Sequence, residues 1–406
     1  MSYNFVLNAS NNVSIYNNTF KYNFINGQFD IPEGSEMCIN TLVMPYSWYN
    51  VSSFIGNNTF YWTYPTPTAT ISNITATSST TATITLSDGA LYVGSIITCA
   101  SNPTSTSSSG LVYITAITSG DGTGTSANTY TLSQSATYAS ATGSSTGVVR
   151  TITLSDGFYQ LSDVNNALWA DMKTAKIYYY NTNPNVVTGF TAGTQSTSII
   201  YPISFSTNPN AYNNVINFQY IPKASGEVVT LFGTGYNYQY DLYPATTSTC
   251  QIIIPTGVTN NTSNNIGNLL GFTSGSYPLT QTTKTYTSPP TLANSYPPPS
   301  VGGNSLTGYT PPFPAVGSIV NGVIIRCSLV DNAISSVNDI LDSTPISATF
   351  GSNILYTPLT DNFVKIKKGT YSSLTITFSD QNFNTLYMND PNILLSLLIR
   401  FPQKKV

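Results

Sequence analysis

Apolar side chains in this chain recur mostly at every second position, the period of a strand with one packed face and one wet face. Phe20, Tyr22 and Phe24 share a face, Asn26-Gly27 supplies a hairpin turn, and Phe29 and Ile31 resume the alternation. Residues 37–44 form the next apolar run, and Phe60, Trp62 and Tyr64 alternate after the Asn57-Asn58 turn. Further strands are predicted at 177–180, 199–205, 215–221, 228–232, 250–254, 318–330, 363–366 and 374–378, rich in β-branched and aromatic residues. The closing run, 393–401, is apolar on both faces, which predicts a central and buried strand. One segment has a helical period instead. Val164, Leu168 and Met172 fall at i, i+4 and i+8 behind Ser162, a good N-cap, with Ala167 and Ala175 beside the stripe.

Composition shifts between Pro65 and Arg150, where Ser, Thr, Ala and Gly dominate and acidic residues are scarce. Strand-like pieces persist at 83–86, 91–99, 111–117 and 129–132, separated by Ser87-Asp88-Gly89 and Gly120-Asp121-Gly122. The pattern predicts a small β-domain at 66–149 inserted into a host made of 1–65 and 150–406. The heptapeptide Thr-Ile-Thr-Leu-Ser-Asp-Gly occurs at 83–89 and again at 151–157, but nothing flanking the copies agrees, so it reads as convergent strand-plus-turn chemistry. Residues 282–314 contain Pro289-Pro290, Pro297-Pro298-Pro299 and Pro311-Pro312. Proline cannot donate to a ladder, which predicts an extended loop there.

Charge and candidate chemistry then narrow the function. The 406 residues include no histidine, only 7% are charged, and 29 are tyrosine. Imidazole acid–base catalysis, Ser–His and Cys–His pairs and most zinc-type sites are therefore closed to this chain. A net charge of −3 argues against nucleic acid as the main partner. Cys38, Cys99, Cys250 and Cys327 are scattered singles, expected as reduced core residues. The N-terminal residues lack the features of a signal peptide, and no apolar run is long enough for a membrane helix, so a soluble protein of a reducing compartment is expected, its Asn-x-Ser/Thr sequons (Asn8, Asn17, Asn57, Asn73) unglycosylated.

Three motif groups carry other readings. Asp331, Asp339 and Asp342 are the densest acidic group, but their spacing fits a polar loop and no calcium-loop pattern. Residues 120–124 and Gly233-Thr234-Gly235 are glycine-rich without the lysine of a phosphate loop, and a tight hairpin explains both. Lys365, Lys367 and Lys368, with Arg400, Lys404 and Lys405, are the only basic clusters. They read as edge-strand lysines that discourage stray pairing, or as an inner face near an acidic partner or packaged nucleic acid. No catalytic, cofactor-binding or metal-binding residue is assigned.

The segment Ile266-Gly267-Asn268-Leu269-Leu270-Gly271-Phe272 followed by Tyr277-Pro278 resembles a signature of one family. So do Ile325-Arg326-Cys327-Ser328-Leu329-Val330, the run 374–380, and Asp390-Pro391-Asn392 with the apolar strand to Arg400. Together with Asp156-Gly157-Phe158-Tyr159 before the helix, they resemble penton and minor capsid proteins of large icosahedral double-stranded DNA viruses, of the nucleocytovirus or virophage type. The resemblance covers about 1–64 and 151–406.

It implies an all-β fold: an antiparallel jelly-roll sandwich of two four-stranded sheets, with one short helix and the inserted β-domain projecting outward. It also implies a structural virion protein at the five-fold vertices of a giant-virus-type capsid, not an enzyme, assembled in the host cytoplasm. The expected partners are further copies of itself in a homopentamer, the major capsid protein and other minor capsid proteins. Sequence-specific nucleic acid is not expected, nor is any cofactor. Two rival readings stay open. In one, the protein is a minor capsid or spike protein whose residues 66–149 bind a host receptor or glycan. In the other, it is a carbohydrate-active enzyme, which would need a carboxylate pair in a tyrosine-lined cleft.

Overall fold

The computed structural model describes residues 2–99, 111–123, 126–181, 199–208, 213–232, 236–240, 242–255, 266–278, 305–309, 320–332, 337–360 and 362–402. The chain divides into two compact units, Met1–Asn50 with Ser318–Val406, and Val51–Gly317. Gly233-Thr234-Gly235, Gly124, Lys404, Lys405 and most of 282–314 lie outside the described residues.

The first unit is built on β1 (Ser2–Asn8), β2 (Thr19–Asn23), β3 (Glu36–Pro45), β4 (Gly322–Cys327), β5 (Ile340–Pro345), β6 (Asn353–Tyr356), β7 (Ser373–Asp380) and β8 (Leu394–Arg400). They pair antiparallel from the outside in: β1 with β8, β2 with β7, β3 with β6, and β4 with β5. Two further ladders, β8 with β3 and β7 with β4, roll this nested ribbon into sheets of order β1-β8-β3-β6 and β2-β7-β4-β5. That is the jelly-roll order. It follows from the alternation, because each strand sends one apolar set inward: Phe5 and Leu7, Val323, Ile325 and Cys327, Leu374, Ile376 and Phe378, and Leu395, Leu397 and Ile399 are all buried. The faces meet where Met37 Sδ lies 3.8 Å from Cys327 Sγ and where the Phe5 ring sits 5.5 Å from Tyr22 and 5.6 Å from Phe24.

Two local expectations need correction here. The Asn26-Gly27 turn forms, with Gly27 at φ +72° and its N–H donating to Phe24 O, but it joins no hairpin. β2 pairs with β7, while Phe29–Ile31 pairs with Gly369–Tyr371. β8 is central, yet only one of its faces is buried. Leu394 on the other is 47% exposed, so the apolar run covers a packed face and an open one.

The second unit hangs on a ribbon of two long strands, Thr59–Asp88 and Asn128–Thr153, paired through several register shifts. Gln251–Ile254 extends the ribbon beside Tyr61–Thr63. The two strands stay paired past Pro65, which sits opposite Gly147: after a register shift the ladder resumes at Ala69 opposite Ser145. The composition shift therefore marks a change of surface and not the end of a ladder, and the units divide at 50/51 and 317/318, not at 65/66 and 149/150. Phe60, Trp62 and Tyr64 pack with this unit, against Val148, Ile152 and the helix α1 (Leu161–Thr174). Ala69 to Tyr138 nonetheless contribute a hydrophobic cluster of their own farther along the ribbon. At the crossing between clusters, Gly94 adopts φ +94°, and a Cβ there would stand 2.5 Å from Val149 O.

Helix content also exceeds the single expected helix. α1 begins at Leu161 behind Gln160, whose N–H donates to Asp163 Oδ2 at 2.8 Å, so Ser162 is already inside it. Ser225–Phe232 is helical although Val228 and Val229 favour strand. Glu227 fixes its first turn by accepting from Lys223 N–H at 2.8 Å and Thr247 Oγ1 at 2.5 Å. A short helix, Ile266–Leu270, takes up part of the leucine-rich signature. Within the proline-rich stretch, Ser305–Tyr309 is a strand beside Asn213–Ile221 and not loop.

Candidate functional site

The sequence singled out acidic and basic groups in the first unit, and the fold gives most of them partners. Arg326 on β4 donates from Nε and Nη2 to the Asp339 carboxylate, both at 2.9 Å. Arg400 at the end of β8 pairs with Glu36 at 2.6 Å and lies 3.6 Å over the Phe363 ring. Lys368 reaches Glu33 at 3.3 Å, and Lys367 Nζ donates to Ser328 O at 3.4 Å. Lys365 lies in the short strand Val364–Lys365, directly opposite Glu36. Each pair is partly or largely exposed, so each contributes at most about 1 kcal/mol. Together they leave little unbalanced positive charge among the described residues for a polyanion.

The three aspartates do not all come together. Asp339 turns to Arg326, while Asp331 and Asp342 line a cavity of about 640 Å³ with Glu36, Phe363 and Lys365. Asp342 accepts from the Tyr356 hydroxyl at 2.9 Å, and burial together with that carboxylate pushes Tyr356 up to about 12. Among the described residues, no three His, Cys, Asp or Glu side chains come together as metal ligands.

In the second unit the decisive polar group is Asp171 on α1, which sequence reading passed over. Its Oδ2 accepts from Trp62 Nε1 at 2.7 Å and from Arg150 Nε at 2.8 Å, and its Oδ1 accepts from Arg150 Nη2 at 2.6 Å. Trp62 is fully buried, so the carboxylate bolts the helix to both long strands. One signal was available: Arg150 is the only arginine before Arg326. Asp156 makes a second clamp, accepting from Ser53 N–H at 2.6 Å and from the hydroxyls of Ser52 and Ser53 at 3.2 and 3.1 Å. Tyrosines supply much of the surrounding core. Tyr238 packs 5.0 Å from Tyr179, and burial raises its hydroxyl well above the ordinary range.

The glycine turns behave as hairpin chemistry. Ala90 bridges Thr123, placing the Asp88 and Asp121 turns side by side, and each carboxylate accepts a nearby backbone N–H, from Gly89 and Thr123. Tyr92 and Val93 beside them are 40% and 59% exposed. All four cysteines are buried and none is in a disulfide. Burial pushes the Cys327 thiol up to about 11 and raises Cys250 further.

The chain matches no protein-family model and no curated protein. Among solved structures it is similar to the crystal structure of the mavirus penton protein. The superposition covers 99% of each chain at 8% identity and is loose, with a TM-score of 0.35.

Proposed function

We propose that this protein is a structural building block of a virion, a penton-type capsomer subunit that assembles as a homopentamer beside a major capsid protein, in particles put together in the host cytoplasm. The observation that carries the reading is the nested pairing of β1 to β8 into a jelly roll, interrupted once, between β3 and β4, by the whole second unit. Jelly rolls serve as capsid domains, lectins and cupins. A chain without histidine lacks the usual ligand for a cupin-type metal centre, which favours the first two. Low charge and abundant tyrosine suit surfaces buried between subunits, where an apolar ring with a polar tip is favoured. The motif resemblance favours the capsid over the lectin.

One observation favours a second reading, attachment to a host glycan or receptor. The cluster from Ala69 to Tyr138 is a core of its own, with Tyr92 and Val93 exposed beside it. One deletion separates the readings. Joining Pro65 to Gly147 through a two-residue turn removes the module where the strands already face each other. For a capsomer, the shortened protein still enters particles. Particles that form normally but no longer attach to cells favour the spike reading, and a protein with no place in particles ends both.

A further inference from the structure

Sheet edges expose unpaired backbone N–H and C=O groups, and proteins that remain single chains guard them with charge, proline, bulges or brevity. The two sheets of the jelly roll differ in this respect. In the β2-β7-β4-β5 sheet both edges are guarded: β2 carries the exposed Lys21, and β5 carries Asp342 and ends at Pro345. In the β1-β8-β3-β6 sheet β6 is brief, but neither edge strand has a charged or proline guard. β1 reads Ser-Tyr-Asn-Phe-Val-Leu-Asn over seven residues, and β6 reads Asn-Ile-Leu-Tyr, with no charge and no proline in either. Among the described strands β1 pairs only with β8, and β6 only with β3. The lysine of Val364–Lys365, which also borders β3, stands at the other end of that strand, opposite Glu36.

Side chains mark the same two edges. On the outer face, Val6 of β1 is 45% exposed and Leu355 of β6 is 69% exposed; Leu355, Val43 and Leu394 form one row that meets β1 at Asn8, and Val6 stands two residues along β1, opposite Ser396. The strand directions complete the match. β1, β8, β3 and β6 alternate in direction, so β1 and β6 run antiparallel to each other. A neighbour related by simple rotation therefore offers its β6 to β1 in antiparallel sense, with the outer faces aligned. Such a contact is heterologous and can close a ring.

We propose that β1 of one copy pairs with β6 of the next, continuing each sheet into its neighbour and setting Val6 against the neighbour's Leu355. The inference rests on the homo-oligomeric reading above and names its interface. Strand addition supplies affinity through main-chain hydrogen bonds, and the apolar pair sets the register.

The test is a cysteine pair in the full chain, since directly opposed residues of antiparallel strands lie within disulfide reach. Wild-type protein is weighed by native mass spectrometry, and Val6→Cys with Leu355→Cys is oxidised mildly and run on a denaturing gel. Both sites are exposed, and thermal melts check that the variants fold. The proposal expects a covalent ladder up to the native oligomer, with neither single variant cross-linking. It also expects Val6→Lys alone to weaken assembly at least ten-fold and Leu355→Glu to restore it. A native oligomer without a ladder overturns the edge pairing and leaves the oligomer standing. Dimers of the Val6→Cys single variant also overturn it, because β1 then meets β1. A monomeric wild type overturns both the pairing and the oligomer.

Discussion

Replacing Asp171 by alanine removes three acceptor contacts at once, one to Trp62 and two to Arg150. The magnitude can be assembled from the two partners. The indole N–H of Trp62 is sealed from solvent, so losing its acceptor leaves a buried donor unsatisfied, at a cost of about 1–3 kcal/mol. The Arg150 side chain keeps 31% of its surface exposed and can turn to water, so the lost ion pair adds about 1 kcal/mol. Asp171→Ala should therefore destabilise the second unit by about 2–4 kcal/mol. Denaturant unfolding followed by tryptophan fluorescence reads this directly, as a lower midpoint at unchanged slope. The partner variant isolates the cause. Trp62→Phe removes the donor, and on that background Asp171→Ala should cost only about 1 kcal/mol. A single-variant loss below about 0.5 kcal/mol, or an equal loss in both backgrounds, would refute the clamp.

Three further expectations are simpler to check. Non-reducing and reducing gels should give one mobility, and the thiols should stay silent to a thiol reagent at pH 8 until the protein is denatured, because all four are buried and Cys327 is held up to about 11. Fast labelling of the native protein would refute this. Tyr138 and Tyr356 are held up to about 12 by burial, with Asp342 adding to the effect at Tyr356. Their stabilisation is complete below the unfolded value near 10 and is lost as pH rises towards 12, so the denaturant midpoint should fall across that window. With no histidine in the chain, the midpoint should be flat from about pH 6 to 7, below the range in which the thiols of the unfolded chain ionise, and a slope there would contradict the assignment of groups. Gly94→Ala should destabilise by more than 1 kcal/mol, since the added Cβ meets Val149 O in a left-handed backbone, and a neutral result in the same unfolding assay would count against that geometry.

Strand-period alternation was legible wherever one face is packed, and it marked β2, β3, β7 and β8 without any knowledge of the fold. It does not encode which strand pairs with which. Phe29 and Ile31 therefore looked like the return arm of a hairpin, although their partner lies at Gly369–Tyr371. The division of the chain was hidden for a related reason. A shift to Ser, Thr and Gly at Pro65 changes the surface of a strand and shifts its register, but the strand continues to Asp88 and its ladder to Ile84. Val228 and Val229 advertised strand, and the local bonds made by Glu227 prevailed. The Asp171 clamp joins residues 109 positions apart, and no short motif reports such a contact.

The most direct test of the capsomer account is the assembled protein itself, imaged by cryo-electron microscopy and weighed alongside. The account predicts closed rings with five times the 43.6 kDa chain mass, and density for the same ring at the five-fold vertices of purified particles. A stable monomer that has no place in purified particles would contradict it.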